Sequence, residues 1–172
     1  MRKGSQLQAF LYFQSMNSKP SFTVDEIKKK LEYYCVYQDR CHKDVEDKLK
    51  EFFLIPEAKE EIIIHLIQEN YLNEERFAKS FVRGKHNIKK WGRNRIVKEL
   101  EFKQISAYNI KKGLLEIDES EYYSNLLNLA EKKNGLLKES NPYQRKQKLK
   151  NFLYQKGYEY NLISKAIDEI LN

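Results

Sequence analysis

The sequence predicts an all-α protein, an elongated tandem array of three three-helix units. Three observations predict it. From position 24 onward, apolar residues recur at steps of three and four, which puts them on one helix face. The stripe then returns in register. Val45, Leu49, Leu54, Ile63 and Leu66 set a pattern that Ile96, Leu100, Ile105, Leu114 and Ile117 repeat 51 residues on. Leu149, Leu153, Tyr158, Ile167 and Ile170 repeat it again 53 residues later. Lastly, 6 glycines and 3 prolines in 172 residues are too few for an all-β chain, which turns about every ten residues.

The first unit, 17–72, has Ile27 and Leu31 on its first helix and Val45 and Leu49 on its second. Ile62, Ile63, Leu66 and Ile67 mark the third. The run Ile62–Ile64 alone would suit a strand, but its charged flanks and the continuing stripe favour a helix. The second unit, 73–118, places Phe77 and Phe81, then Ile96 and Leu100, then Ile110, Leu114 and Ile117 on successive helices, and Phe77, Phe81, Ile96 and Leu100 should be core. The third, 119–172, does so with Leu126 and Ala130, with Leu149 and Leu153, and with Leu162, Ile163, Ala166, Ile167 and Ile170. Asn141-Pro142 suits a helix start, and Lys156-Gly157-Tyr158 a helix end with left-handed glycine. One short amphipathic helix is marginal alone, whereas three cover one another's stripes. Small separate cores would leave the units able to shift against one another. Residues 1–16 stand apart: Leu11-Tyr12-Phe13-Gln14-Ser15 looks like a protease-cleavable tag, with Met16 as the natural start.

Composition narrows the function. At 41% hydrophobic and 33% charged residues the chain is too apolar for a disordered tail. Lys and Arg number 32 against 25 Asp and Glu, a net charge of +7, which suggests an anionic partner. No run approaches the ~20 apolar residues of a membrane span, and no basic stretch followed by an apolar one opens the chain, so a secretory signal is not expected. Two cysteines make no disulfide framework and fit a reduced, cytoplasmic setting.

Catalysis finds little support. His42, His65 and His86 sit in no HExxH motif and beside no nucleophile elbow, and the glycines form no phosphate-cradling loop. Cys35, Cys41 and His42 do not have zinc-knuckle spacing, so Cys35 reads as core and Cys41 as an ordinary thiol. Neither a metal nor another cofactor is expected.

The cations are more informative because they cluster. Lys79, Arg83, Lys85, Lys89, Lys90, Arg93, Arg95 and Lys98 fall in a stretch without a single acid, around the only tryptophan, Trp91. A helix end, a turn at Gly92 and a helix start would gather them into a patch able to neutralise phosphates, with an aromatic to stack on a base. A second cluster comprises Arg145, Lys146, Lys148 and Lys150, near Lys132, Lys133 and Lys138. The competing explanation is that lysine-rich faces simply solubilise helices and that Trp91 packs between units. Reversing Arg83, Lys89, Lys90 and Arg93 to Glu should then separate binding from folding.

Tyr71-Leu72-Asn73-Glu74-Glu75-Arg76-Phe77-Ala78, followed by Gly92-Arg93-Asn94-Arg95-Ile96-Val97-Lys98-Glu99-Leu100, resembles the most recognisable stretch of RecX regulatory proteins. Tyr154-Gln155-Lys156-Gly157-Tyr158 is similar to the matching helix end of the third unit. The likeness covers roughly 24–171. It departs from the family at Asn73-Glu74, where Asp-Asp is usual, and at Gln104, where glycine is usual. Asn73 is a competent N-cap, and a left-handed Gln104 would cost roughly 1 kcal/mol. Arg76 would either pin its helix to a neighbour or touch a partner. The resemblance implies a monomeric, non-catalytic modulator that binds the RecA filament on single-stranded DNA and lowers its ATPase, strand-exchange and coprotease activities. The alternative from the residues alone is a helical protein that binds nucleic acid directly.

Overall fold

The computed structural model describes residues 22–171, so the tag-like segment lies outside the described residues. Nine helices and no strand occur among them. The first three are α1 (Val24–Tyr37), α2 (His42–Leu49) and α3 (Pro56–Gln68). The next three are α4 (Glu74–Asn87), α5 (Arg93–Phe102) and α6 (Ala107–Leu114). The last three are α7 (Glu119–Leu136), α8 (Pro142–Lys156) and α9 (Tyr160–Leu171). Within each trio the first and third helices pack together: α1 on α3, α4 on α6, α7 on α9.

Local chemistry sets the ends. Thr23 and Glu26 close a reciprocal capping box on α1. Asn73 caps α4 by accepting from the Arg76 amide, as its residue type suggested. Ser106, Asp118 and Asn141 do the same for α6, α7 and α8. Helix α5 ends with Gln104 at φ 61 and α8 with Gly157 at φ 91. Both ends carry the same pair of backbone bonds: Ile105 N to Leu100 O with Gln104 N to Glu101 O, and Tyr158 N to Leu153 O with Gly157 N to Tyr154 O. These are Schellman closures, one built on glycine and one forced onto glutamine.

The repeated stripe is the core. Every one of its fifteen positions is buried or half-buried. The expectation of separate small cores holds only for the first unit, where Ile27, Leu31, Val45, Leu49, Ile62 and Leu66 pack by themselves. The second and third units share one continuous core, in which Ile96, Leu100, Tyr122, Leu126, Leu153 and Tyr158 meet. Cys41 of the first unit, fully buried, also inserts into that shared core. Of the four second-unit residues expected inside, Phe77, Ile96 and Leu100 are buried, but Phe81 is only half-buried because one side of α4 faces a cleft.

The units meet in a recurring way: the start of one unit's middle helix abuts the end of the next unit's middle helix. Between the second and third units, Gly92 N donates to Lys156 O at 2.8 Å and Asn94 N to Gly157 O at 3.0 Å. Orphan amides at the start of α5 thus satisfy orphan carbonyls at the end of α8. Between the first and second units, the equivalent residues are Cys41 and Gln104, and side chains do the joining. Lys43 Nζ donates to Phe102 O at 2.8 Å, and Lys103 pairs with Asp44 at 2.8 Å. Arg76 adds a third tie, donating to Asp39 at 2.8 Å and to the carbonyls of Asn70 and Tyr71. Its ambiguity is resolved here: it pins α4 to the first unit.

Candidate partner-binding surface

The stretch 79–98 folds as the last turns of α4, a short connection, and α5. The connection is held by His86, which is buried. Its Nδ1 lies 3.1 Å from the Trp91 carbonyl, and its Nε2 lies 3.1 Å from the Asn125 amide nitrogen. A carbonyl only accepts, so Nδ1 donates and Nε2 receives from Asn125. Lys90 takes the left-handed conformation there, at φ 52.

Trp91 is half-buried against the shared core, which fits the packing explanation, yet cations crowd its ring. The Arg95 guanidinium lies 4.0 Å from the ring centroid and the Lys85 ammonium 5.0 Å. Lys85 also lies 5.0 Å over Phe81. Arg95 further donates to Gln155 O at 3.2 Å. One turn beyond it, exposed Lys98 lines a cleft of about 460 Å³ with Asn94, Arg95 and Tyr154. Lys85, Trp91, Arg95 and Lys98 are therefore brought together, and Lys89 stands exposed beside them.

The remaining candidates have internal work. Lys79 pairs with Glu75 at 2.5 Å and Arg83 with Glu116 at 2.7 Å. Arg93 reaches Glu119 at 2.6 Å and Glu159 at 3.5 Å, while its backbone amide donates to the Tyr122 hydroxyl. That hydroxyl in turn donates to Glu159 at 2.6 Å. Burial, reinforced by Glu159, pushes the Tyr122 hydroxyl far above the usual tyrosine range, so it stays a donor. Arg93 is thus part of the joint between units, and a fourfold reversal that includes it would disturb folding as well as binding. In the second cluster, Arg145 donates to Asn134 Oδ1 and to the carbonyls of Asn134, Leu137 and Glu139. Lys146 pairs with Asp168 at 2.7 Å, and Lys148 with Glu139.

The cysteines are inert thiols. Both are buried, and burial pushes each up to about 11. Sequence reading undervalued Arg40, whose guanidinium lies 3.9 Å over Tyr34. The repeat distance could have found it. Tyr34 and Arg40 stand 51 residues before Lys85 and Trp91, so the same cation–aromatic pair recurs with its two chemistries exchanged.

Comparison with known proteins adds two family models. The one described as RecX, second three-helix domain, matches residues 73–114, and the one described as RecX, third three-helix domain, matches residues 119–167. Together they take in just over half of the chain. Regulatory protein RecX of Clostridium botulinum (strain Alaska E43 / Type E3) is 36% identical over 135 residues, covering 77% of this chain and 63% of its own. That of Bacillus cytotoxicus is 29% identical over 137 residues, covering 80% of this chain and 51% of its own. The chain thus spans between about half and two-thirds of the length of these relatives. The crystal structure of RecX from Lactobacillus salivarius superposes with a TM-score of 0.75 at 27% identity, covering 86% of this chain and 96% of that one. A second solved structure, of a regulatory protein RecX, superposes at 0.73 with 24% identity, covering 84% and 73%, and speaks for the fold alone. Among the described residues, no helix is long and apolar enough to cross a membrane.

Proposed function

The chain belongs to the RecX family, and from that premise we propose that it is a non-catalytic regulator of RecA. On this reading it acts in the cytoplasm as a monomer, its units divided at 72/73 and 118/119. It binds the RecA filament on single-stranded DNA and lowers the filament's ATPase, strand-exchange and coprotease activities. The observation that carries the reading is the convergence of Lys85 and Arg95 on Trp91, with Lys89 and Lys98 exposed alongside, within the segment matched as a RecX domain. Clustered cations beside a cleft suit an acidic protein surface and raise the encounter rate with it. An array that touches several protomers at once multiplies weak contacts.

A RecA ATPase assay on single-stranded DNA tests this. Added protein lowers turnover at substoichiometric ratios. Unchanged turnover at equimolar protein would remove the reading.

A second reading, direct nucleic-acid binding, draws on Asn94, Lys98 and Tyr154, which line one cleft and are all exposed. Gel shifts without RecA separate the two. Strong duplex specificity favours a DNA reader, whereas weak, salt-labile and sequence-blind shifts leave the regulatory reading standing.

A further inference from the structure

A cleft of about 410 Å³ separates the first unit from the second, and nothing in the reading above uses it as a whole. One wall is a face of α4, where Phe77, Phe81 and the adjacent Gly84 and Lys85 follow at steps of three and four, and Ile88 just past the helix end continues it. Facing it are Asp39 and Arg40 from the α1–α2 connection and Asp44 from the first turn of α2, and Lys103 from the end of α5 also lines the cleft.

We propose that this cleft is a docking groove for an acidic segment of a protein partner that also carries a large apolar side chain. The proposal deepens the regulatory reading and rests on it for the existence of a protein partner.

Charge comes first. Both carboxylates of the cleft are already matched, Asp39 by Arg76 and Asp44 by Lys103, each at 2.8 Å. Arg40, Lys85 and Lys89 make no ion pair with any described residue. Arg40 and Lys85 instead lie over aromatic rings, which fixes them in place without neutralising them. The cleft is therefore net positive and favours carboxylates.

Shape and polarity select among anions. Ile88 stands 77% exposed at the lip, and Phe81 is half-buried in the wall. An aliphatic side chain offers no stacking platform for a base, but it does offer cover for a partner's leucine or phenylalanine. At Gly84 a Cβ would meet nothing within 4 Å, so the groove stays open along the last turn of α4, inside a helix, where glycine is unfavourable. A phosphate chain would use the cations and leave the apolar lip uncovered. An acidic, partly apolar peptide uses both.

The open space at Gly84 supplies the test. Gly84→Leu fills the groove while improving helix propensity, so the variant melts no lower than the parent. Arg40→Glu with Lys89→Glu reverses the charge at two exposed or half-exposed sites. Fluorescence anisotropy is read on the full chain with two labelled probes: a short peptide of glutamates with leucines at helical spacing, and an oligothymidylate. The parent binds the peptide, and each variant weakens that binding roughly tenfold or more. Oligothymidylate binding is unchanged by Gly84→Leu. The proposal is overturned if the parent ignores the peptide, or if Gly84→Leu leaves peptide affinity intact. It is also overturned if Gly84→Leu weakens the oligothymidylate as much as the peptide, since the groove would then be a nucleic-acid site. The ATPase assay keeps the two ideas apart. A chain that inhibits RecA but ignores the peptide sinks the groove alone, and a chain that binds the peptide through Gly84 but leaves RecA untouched sinks the regulatory reading alone.

Discussion

At Gly92 an added Cβ would lie 2.3 Å from the carbonyl oxygen of Gly157, and a backbone oxygen cannot step aside as a flexible side chain can. Its φ of −79° is open to any residue, so glycine serves here for close approach and not for a turn. Gly92→Ala should push α5 and the end of α8 apart and cost about 3 kcal/mol, read as a lower urea midpoint. An unchanged midpoint would mean that the two backbones are not in contact. Gln104 presents the reverse case. Its left-handed φ of 61° strains a side chain at a position whose counterpart, Gly157, carries none. Gln104→Gly relieves that strain but gains unfolded-state entropy, so it should stabilise by at most about 1 kcal/mol. Thermal melts of the two variants should move in opposite directions.

Helix α7 shows how an element's end can absorb a residue that sequence alone assigns to a binding patch. At its end the Asn134 carbonyl accepts from the Leu137 amide, and the Arg145 guanidinium donates to it as well and to the carbonyls of Leu137 and Glu139 beyond the end. Arg145→Ala should therefore cost about 1–2 kcal/mol in chemical unfolding. Lys98→Glu, on an exposed face of α5, should leave stability within about 0.5 kcal/mol while weakening filament binding. If Arg145→Ala unfolds like the parent, the cap is ornamental. Much at this scale was legible beforehand, because apolar period, the Asn73 cap and the Gly157 stop are local chemistry. The duties of Arg93 and Arg145 were not, because the partners of Arg93 lie 26 and 66 residues away and those of Arg145 lie 6 to 11 residues back across a turn, and only folding brings them close. Nor did periodicity reveal that Phe81 would border a cleft, since a stripe gives the facing side of a helix and not how completely a neighbour covers it.

Across the whole molecule the two joints differ in kind, and this predicts different responses to acid. The joint between the second and third units also holds carboxylates, Glu119 and Glu159 on Arg93, but it rests mainly on backbone hydrogen bonds and a shared core, which have none to protonate. The joint between the first and second rests largely on side-chain charge. Burial works against the Asp44 carboxylate, but hydrogen bonds from Lys103 and from Cys41 overcome it and hold its pKa below the ordinary aspartate value of 3.8. For a depressed carboxyl the sign is fixed: its stabilisation is complete above the unfolded value and disappears as pH falls through the folded one. Acidification below about pH 4 should thus release Lys103 and loosen the first unit while the other two stay joined. Amide hydrogen exchange, with rates corrected for intrinsic pH dependence, checks this. Protection in α1–α3 should fall as the pH drops below about 4, ahead of that in α5 and α8, and Lys103→Met should make the same difference visible at neutral pH. Equal loss of protection in all three units would mean that Asp44 and Lys103 are not what holds the first joint closed.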